Sequence, residues 1–153
     1  MSNPTTTTIG STSNSLHVRY DISQVFLGDL KTTDGETLLN SSGGELTYPI
    51  GTLLGRVEAS GKLVPLASAA ADGSQYPVGL LAQEITLADA AEGKVCVAIS
   101  GNVDSGKITL DGSDDLDTVI TNAGGRTIKD AIHADTLGIF LIPVRELSKT
   151  DNQ

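Results

Sequence analysis

The stretch Gly101-Asn102-Val103-Asp104-Ser105-Gly106-Lys107 comes closer to a chemical motif than any other part of the chain. It matches a phosphate-binding loop as far as the lysine, and it follows an apolar run as such a loop should. The next position fails, because Ile108 stands where a Ser or Thr hydroxyl should hold Mg²⁺. The surroundings fail as well. A phosphate cradle opens a helix, so that the helix N-terminus faces the anion, whereas Ile108-Thr109-Leu110 has the composition of a strand. Asp104 would also place a negative charge inside the cradle. A hairpin turn accounts for these residues better.

Four carboxylates, Asp111, Asp114, Asp115 and Asp117, raise the question of calcium. An EF-hand loop needs Gly at its sixth position and Glu at its twelfth. Counted from Asp111 these are Leu116 and Asn122, so a solvated loop capping a helix is the better account. The histidines are His17, on the polar face of a predicted strand, and His133, beside Asp130 on a predicted helix; neither belongs to a nucleophile-elbow or HExxH motif. The single cysteine, Cys96, allows neither an intrachain disulfide nor a zinc cluster. It sits in Val95-Cys96-Val97-Ala98-Ile99 and is expected to be a buried small hydrophobe. Asn40-Ser41-Ser42 fits a glycosylation acceptor, without consequence in a chain lacking a secretory signal. The expectation is no catalytic residue, no metal, no cofactor and no enzyme.

The chain has 153 residues, enough for one domain and a tail. Only 3% are aromatic and none is Trp, so the core must be built from Val, Ile, Leu and Ala, and oligomerisation is a ready way to bury more surface. The formal net charge of −9 and the lack of a basic stripe argue against nucleic acid and against an anionic membrane surface. No window approaches the ~18 apolar residues of a membrane span.

These elements must position whatever the chain does. Residues 1–15 hold Thr, Ser, Asn and Gly with a lone Ile9, too little apolar surface to offset their ordering entropy. Thr5, Thr6, Thr7 and Thr8 are nevertheless good strand formers, ready to extend along a partner's edge. Leu16, Val18, Tyr20 and Ile22 alternate with polar residues, which predicts a half-buried strand over 16–22. Residues 28–44, rich in Gly, Asp and Asn, read as a loop or weak hairpin. Thr52–Val57 and Lys62–Leu66 around Ser60-Gly61 form a hairpin candidate, with Pro65 at its edge or end. A small-residue loop follows, then a strand from Tyr76 to Ala82 continued over 84–87, a buried strand at 94–100 and another at 107–110. Short helices are predicted at 114–120 and 127–134, the second stopped by Gly138, and a last strand at 139–144. The fold class is mainly β with one or two short helices.

The ordered series Pro49-Ile50-Gly51-Thr52-Leu53-Leu54-Gly55-Arg56-Val57, Gly61-Lys62-Leu63-Val64-Pro65, a loop with Asp72-Gly73, Tyr76-Pro77-Val78-Gly79-Leu80-Leu81, the strand 95–99 and finally Leu137-Gly138-Ile139 resembles the phage head decoration proteins of the lambda D type. The likeness covers about residues 45–145. It implies a compact β-rich domain, barrel- or tulip-like, with an extended N-terminal arm. Its divisions here would be the flexible arm 1–15, the domain 16–147 and a C-terminal tail 148–153. It also implies a homotrimer that binds the major capsid protein on the outer surface of the expanded head, at three-fold and quasi-three-fold sites, after synthesis in the host cytoplasm. Such a cement resists the outward pressure of packaged DNA.

The residues support this mechanism on their own terms. Strand addition would give the coreless arm its missing backbone partners. The expected capsid-binding residues are therefore Thr5, Thr6, Thr7, Thr8 and Ile9, with Leu16, Val18 and Tyr20 carrying the pairing toward the domain. The alternative is a trimeric β-rich module that adheres to a host surface glycan, although sugar sites favour aromatic platforms that this chain lacks. Further alternatives are a small trimeric enzyme and a trimer unrelated to viruses.

Overall fold

In the computed structural model, which describes residues 25–133 and 137–143, the chain is organised by one long ribbon. Strand β1 (Phe26–Leu39) runs antiparallel to strand β7 (Glu92–Asp104), from Phe26 opposite Val103 to Leu39 opposite Glu92. Between them in sequence lie β2 (Leu46–Tyr48), β3 (Leu53–Arg56), β4 (Leu63–Pro65), β5 (Pro77–Leu81) and β6 (Ile85–Leu87). A 3₁₀ turn, Ser105–Lys107, follows β7, and then come helix α1 (Ile128–His133) and strand β8 (Gly138–Ile142).

The main sheet closes on itself. Its order is β1-β4-β3-β5-β7, and β7 pairs back onto β1, giving a five-stranded barrel. β8 lies parallel to β7 along Ser100–Asp104, and β2 and β6 form a separate two-stranded ribbon. Closure requires β1 to bend. It does so at register shifts around Gly28–Thr32 and between Thr33 and Glu36, where Asp29 and Gly35 take positive φ values of 55° and 80°. Extra residues of this kind curve a strand and raise its twist.

Two apolar clusters follow from strand alternation. One takes Leu38, Leu54, Leu63, Leu81, Val95 and Val97 from the five barrel strands, together with Tyr48 and Leu87, and fills the barrel. The other lies on the opposite face. Leu53, Leu80, Ala98 and Val103 meet Ile128 and Ile132 of α1 and Ile139 of β8 there. Neighbouring residues such as Leu53 and Leu54 thus point into different clusters. Close approach locks the wall: a Cβ on Gly55 would stand 1.9 Å from the Ser74 carbonyl oxygen.

Several expectations are corrected. Residues 28–44 are not a loop or hairpin; most of them belong to β1, and Asp34-Gly35 makes a bulge instead of a turn. Residues 114–120 form turns and not a helix, because the Asp115 carboxylate accepts from the Asp117 N–H and the Thr118 hydroxyl. Such local bonds compete with helical ones. Gly101–Asp104 continue β7, so no hairpin turns there, and 107–110 contributes one bridge, Thr109 with Thr52. Residues 84–87 do not continue β5 but form β6, paired with β2. Gly138 opens β8 and does not cap the helix.

The hairpin β3–β4 appears as expected, ending at Pro65. So does α1. Thr127 Oγ1 accepts from the Asp130 N–H while Asp130 Oδ2 accepts from the Thr127 N–H, a reciprocal cap. The strand expected at 16–22 lies outside the described residues.

Candidate functional site

The residues expected to bind a partner, Thr5, Thr6, Thr7, Thr8, Ile9, Leu16, Val18 and Tyr20, lie outside the described residues, as does His17. Their place of attachment is described. The Val25 carbonyl accepts from the Asp104 N–H at 2.8 Å, so the chain enters the barrel beside the last residue of β7.

The groups with chemical potential are tied up in structure. Asp104 Oδ1 accepts from the Gly106 N–H at 3.0 Å and caps the 3₁₀ turn, occupying the place where a phosphate would need room. Asp114 accepts from both the N–H and the hydroxyl of Ser68, which pins the 108–123 segment to the loop after β4. No group of His, Cys, Asp and Glu able to hold a metal ion occurs among the described residues. His133 is exposed at the end of α1. Cys96 is half-buried and not buried as expected, because its strand position faces outward between Val95 and Val97. Burial, followed by its hydrogen bonding to Asp34, pushes the thiol above its ordinary value, which disfavours the thiolate.

At one end of the β1–β7 ribbon the polar groups converge on Asn40, which is fully buried. Its Nδ2 donates to the carbonyls of Gly44, Leu87 and Ala88 at 2.7, 2.8 and 3.0 Å. Its Oδ1 accepts from the Tyr48 hydroxyl at 2.8 Å and from the Ser42 N–H. Burial, with a smaller part from the Asp111 carboxylate, holds the Tyr48 phenol above its ordinary value and keeps it a neutral donor. The node fastens the β2–β6 ribbon over the barrel mouth. Sequence reasoning passed over Asn40, since its decisive partners lie 47 and 48 positions away.

Beside this node is an open hollow of about 650 Å³ lined by Leu39, Tyr48, Pro65, Asp72 and Asp111 among others. Asp72 is engaged by the hydroxyl and N–H of Ser74, whose bonds hold its carboxyl below the ordinary range. Asp72 and the Tyr48 hydroxyl thus both have hydrogen-bond partners within the fold.

At the other end the surface is apolar. Phe140 is 63% exposed, and Ile142, Leu27 and Leu30 are exposed as well. Phe140 sits beside Asn102 and Asn102 beside Gly28, so β8, β7 and β1 are adjacent at this end. An exposed apolar surface of this kind suits contact with another macromolecule.

The family model for the bacteriophage lambda head decoration protein D matches residues 28–125. That span covers all but the first two residues of β1, the whole of β2 to β7, and ends before α1. No curated protein matches the chain.

Proposed function

The chain belongs to the bacteriophage lambda head decoration protein D family, and from that premise we propose that it is a cement for a phage head. It is a structural protein of the virion, and its partner is the capsid. In this reading a homotrimer sits on the outer surface of the expanded shell, at three-fold and quasi-three-fold sites. It stabilises the head against the pressure of packaged DNA by bridging neighbouring major capsid proteins.

The observation that carries the reading is the family match over the strands that close the barrel. The chemistry agrees with it. The polar groups serve turns, caps and the Asn40 node, while the exposed apolar surface suits a protein contact. No described helix is long and apolar enough to cross a membrane.

Binding begins with the arm. Residues 1–15, above all Thr5 to Ile9, add as a strand to a sheet of the major capsid protein, and Leu16, Val18 and Tyr20 continue the contact into the domain. Three arms on one trimer reinforce each other. Once the first has docked, the others bind at high local concentration, for a gain of roughly 10²–10⁴-fold.

Co-sedimentation of the purified protein with expanded, undecorated shells tests this, with and without residues 2–15. Saturable binding by the full chain, lost by about 100-fold or more on truncation, is the expected outcome. No binding by the full chain would remove the cement reading. Equal occupancy by the truncated chain would remove the arm from it.

A further inference from the structure

Three Asp-Gly pairs occur in the chain, Asp34-Gly35, Asp72-Gly73 and Asp111-Gly112, and there is no Asn-Gly pair. The dipeptide has a reaction of its own. The backbone nitrogen of the glycine attacks the aspartate Cγ, because glycine puts no Cβ in the way and lets the backbone turn toward the side chain. All three aspartates are exposed, so sequence and solvent access do not rank them. Their hydrogen bonds do.

At Asp72-Gly73 both reacting groups are tied. Asp72 Oδ1 accepts from the N–H and the hydroxyl of Ser74 at 3.0 and 2.6 Å. The Gly73 N–H donates to Gln75 Oε1 at 2.9 Å. Gly73 is crowded as well, since a Cβ there would stand 2.8 Å from the Arg56 carbonyl oxygen. The Ser74 bonds also hold the Asp72 carboxyl below its ordinary range, and so ionised, whereas the attack proceeds on the protonated acid. Asp34-Gly35 lies within β1, where rungs to β7 on either side, and Lys94 Nζ on the Gly35 carbonyl at 3.2 Å, hold the backbone. Asp111-Gly112 has none of these restraints. The neighbouring Asp114 and Asp115 carboxylates each hold a backbone N–H, but among the described residues none is held by Asp111, and nothing accepts from the Gly112 N–H. Gly112 takes a φ of 58° in a turn closed by the Asp114 N–H on the Asp111 carbonyl at 3.1 Å, with open space around its Cα.

We propose that Asp111 is the site of a spontaneous backbone modification, isomerisation to isoaspartate, and that the fold spares the other two pairs. The Gly112 nitrogen bonds to Cγ of the protonated Asp111 carboxyl, and the amide hydrogen leaves with the carboxyl hydroxyl as water. The five-membered succinimide then takes water back. Opening at Cγ restores aspartate. Opening at the Asp111 backbone carbonyl carbon routes the main chain through the side chain and turns the old carbonyl into a carboxylate. Nothing is oxidised or reduced, and water is the only co-reactant. The product carries one more methylene in the main chain at 111, inside the turn that leads to Asp114. Asp114 pins the 108–123 segment to the loop after β4 through Ser68, and that segment lays Ile108, Leu110, Leu116 and Ile120 on the core cluster outside the barrel. Isomerisation at 111 therefore loosens this clamp, and the age of the protein is recorded in its stability.

The test ages the full-length protein for weeks at physiological temperature and mildly acidic pH. Isoaspartate is located by digestion and radical-driven fragmentation of the peptides, which separates it from aspartate, and the succinimide by its loss of one water mass. The same measurement on the chain in denaturant gives the rates without the fold. The expected result is isoaspartate at 111 forming at least ~10-fold faster than at 34 or 72 in the folded protein, with the three rates drawing level in denaturant. Asp111→Glu keeps the carboxylate but would need a larger ring. It should form no such product and should hold its melting temperature on ageing while that of the native chain falls. Ser74→Ala, which frees Asp72 from a hydroxyl, should raise the rate at 72 and serves if the first variant does not fold. Equal rates at the three sites in the folded protein, or no isoaspartate at 111, would overturn the proposal. A melting temperature that stays constant as isoaspartate accumulates would overturn its link to the clamp.

Discussion

β1 and β7 run side by side along the barrel, and their ribbon is finished in opposite ways at its two ends. At the Leu39–Glu92 end the chain turns into Asn40, whose side chain closes the barrel mouth by satisfying three carbonyls, a hydroxyl and an N–H. At the Phe26–Val103 end the pairing runs out beside β8, where Phe140 and Ile142 face solvent. One end spends its side chains on the fold and the other leaves them free. On the cement reading, stability and binding should be separable by mutation, because the closed end serves the fold while the open end leaves its apolar side chains exposed.

The largest effect on stability should come from the closed end. Asn40→Ala strips the carbonyls of Leu87 and Ala88 of a buried donor and the Tyr48 hydroxyl of its acceptor. It should cost about 3 kcal/mol, or roughly 10 °C in melting temperature. Shell affinity measured below the transition should stay native. A variant that keeps its stability, or that loses binding while folded, would break the division between the two ends. A smaller effect is expected beneath the open end, where α1 packs against β8. Thr127→Ala removes the cap on α1 and should cost about 1 kcal/mol in urea unfolding. A loss near zero would show that packing of Ile128 and Ile132 holds the helix without its cap.

The smallest effect is a pH dependence. The Thr127 N–H, and then the Thr127 side chain, hold the Asp130 carboxyl below its ordinary value. A carboxyl depressed in the folded state contributes stability that is complete above its unfolded pKa, about 3.9, and lost as pH falls through the lower folded value. Asp130→Asn should remove this part of the slope of urea midpoints at acidic pH. An identical slope in the variant would rule out the carboxylate cap as its source.

The elements that could be seen in the sequence are those whose evidence is local. The β3–β4 hairpin declares itself through Ser60-Gly61 between two apolar runs, and α1 through Thr127, Asp130 and the Ile128–Ile132 spacing. β1 hid because its stability lies in backbone pairing with β7. Much of it is exposed on both faces, and Asp34-Gly35, a turn signal in isolation, is spent on a bulge. The predicted helix at 114–120 failed through the Asp115 turn, since an acidic pair can cap a helix or replace it. Of the surfaces, the expected arm lies outside the described residues, and its reading rests on Thr-rich sequence with too little apolar surface for a core. The exposed apolar end was not legible. Periodicity places Phe140 in a strand, but whether its face is covered depends on which strands arrive beside it, and Asn102 and Gly28 come from distant parts of the chain.

The closing ribbon also sets an order of events in folding. Phe26 pairs with Val103 and Leu39 with Glu92, so its rungs join residues more than about 50 positions apart. Pairings so distant carry a loop-closure cost that the local β3–β4 hairpin does not, and they fold on the slow side of the range for small domains. On a ribosome adding about 5–20 residues per second, β1 is made first and then waits for its whole partner strand to emerge. The β1–β7 ribbon of a nascent chain cannot be completed until Asp104 has cleared the exit tunnel, and the edge of β1 that β7 covers lacks that partner until β7 emerges.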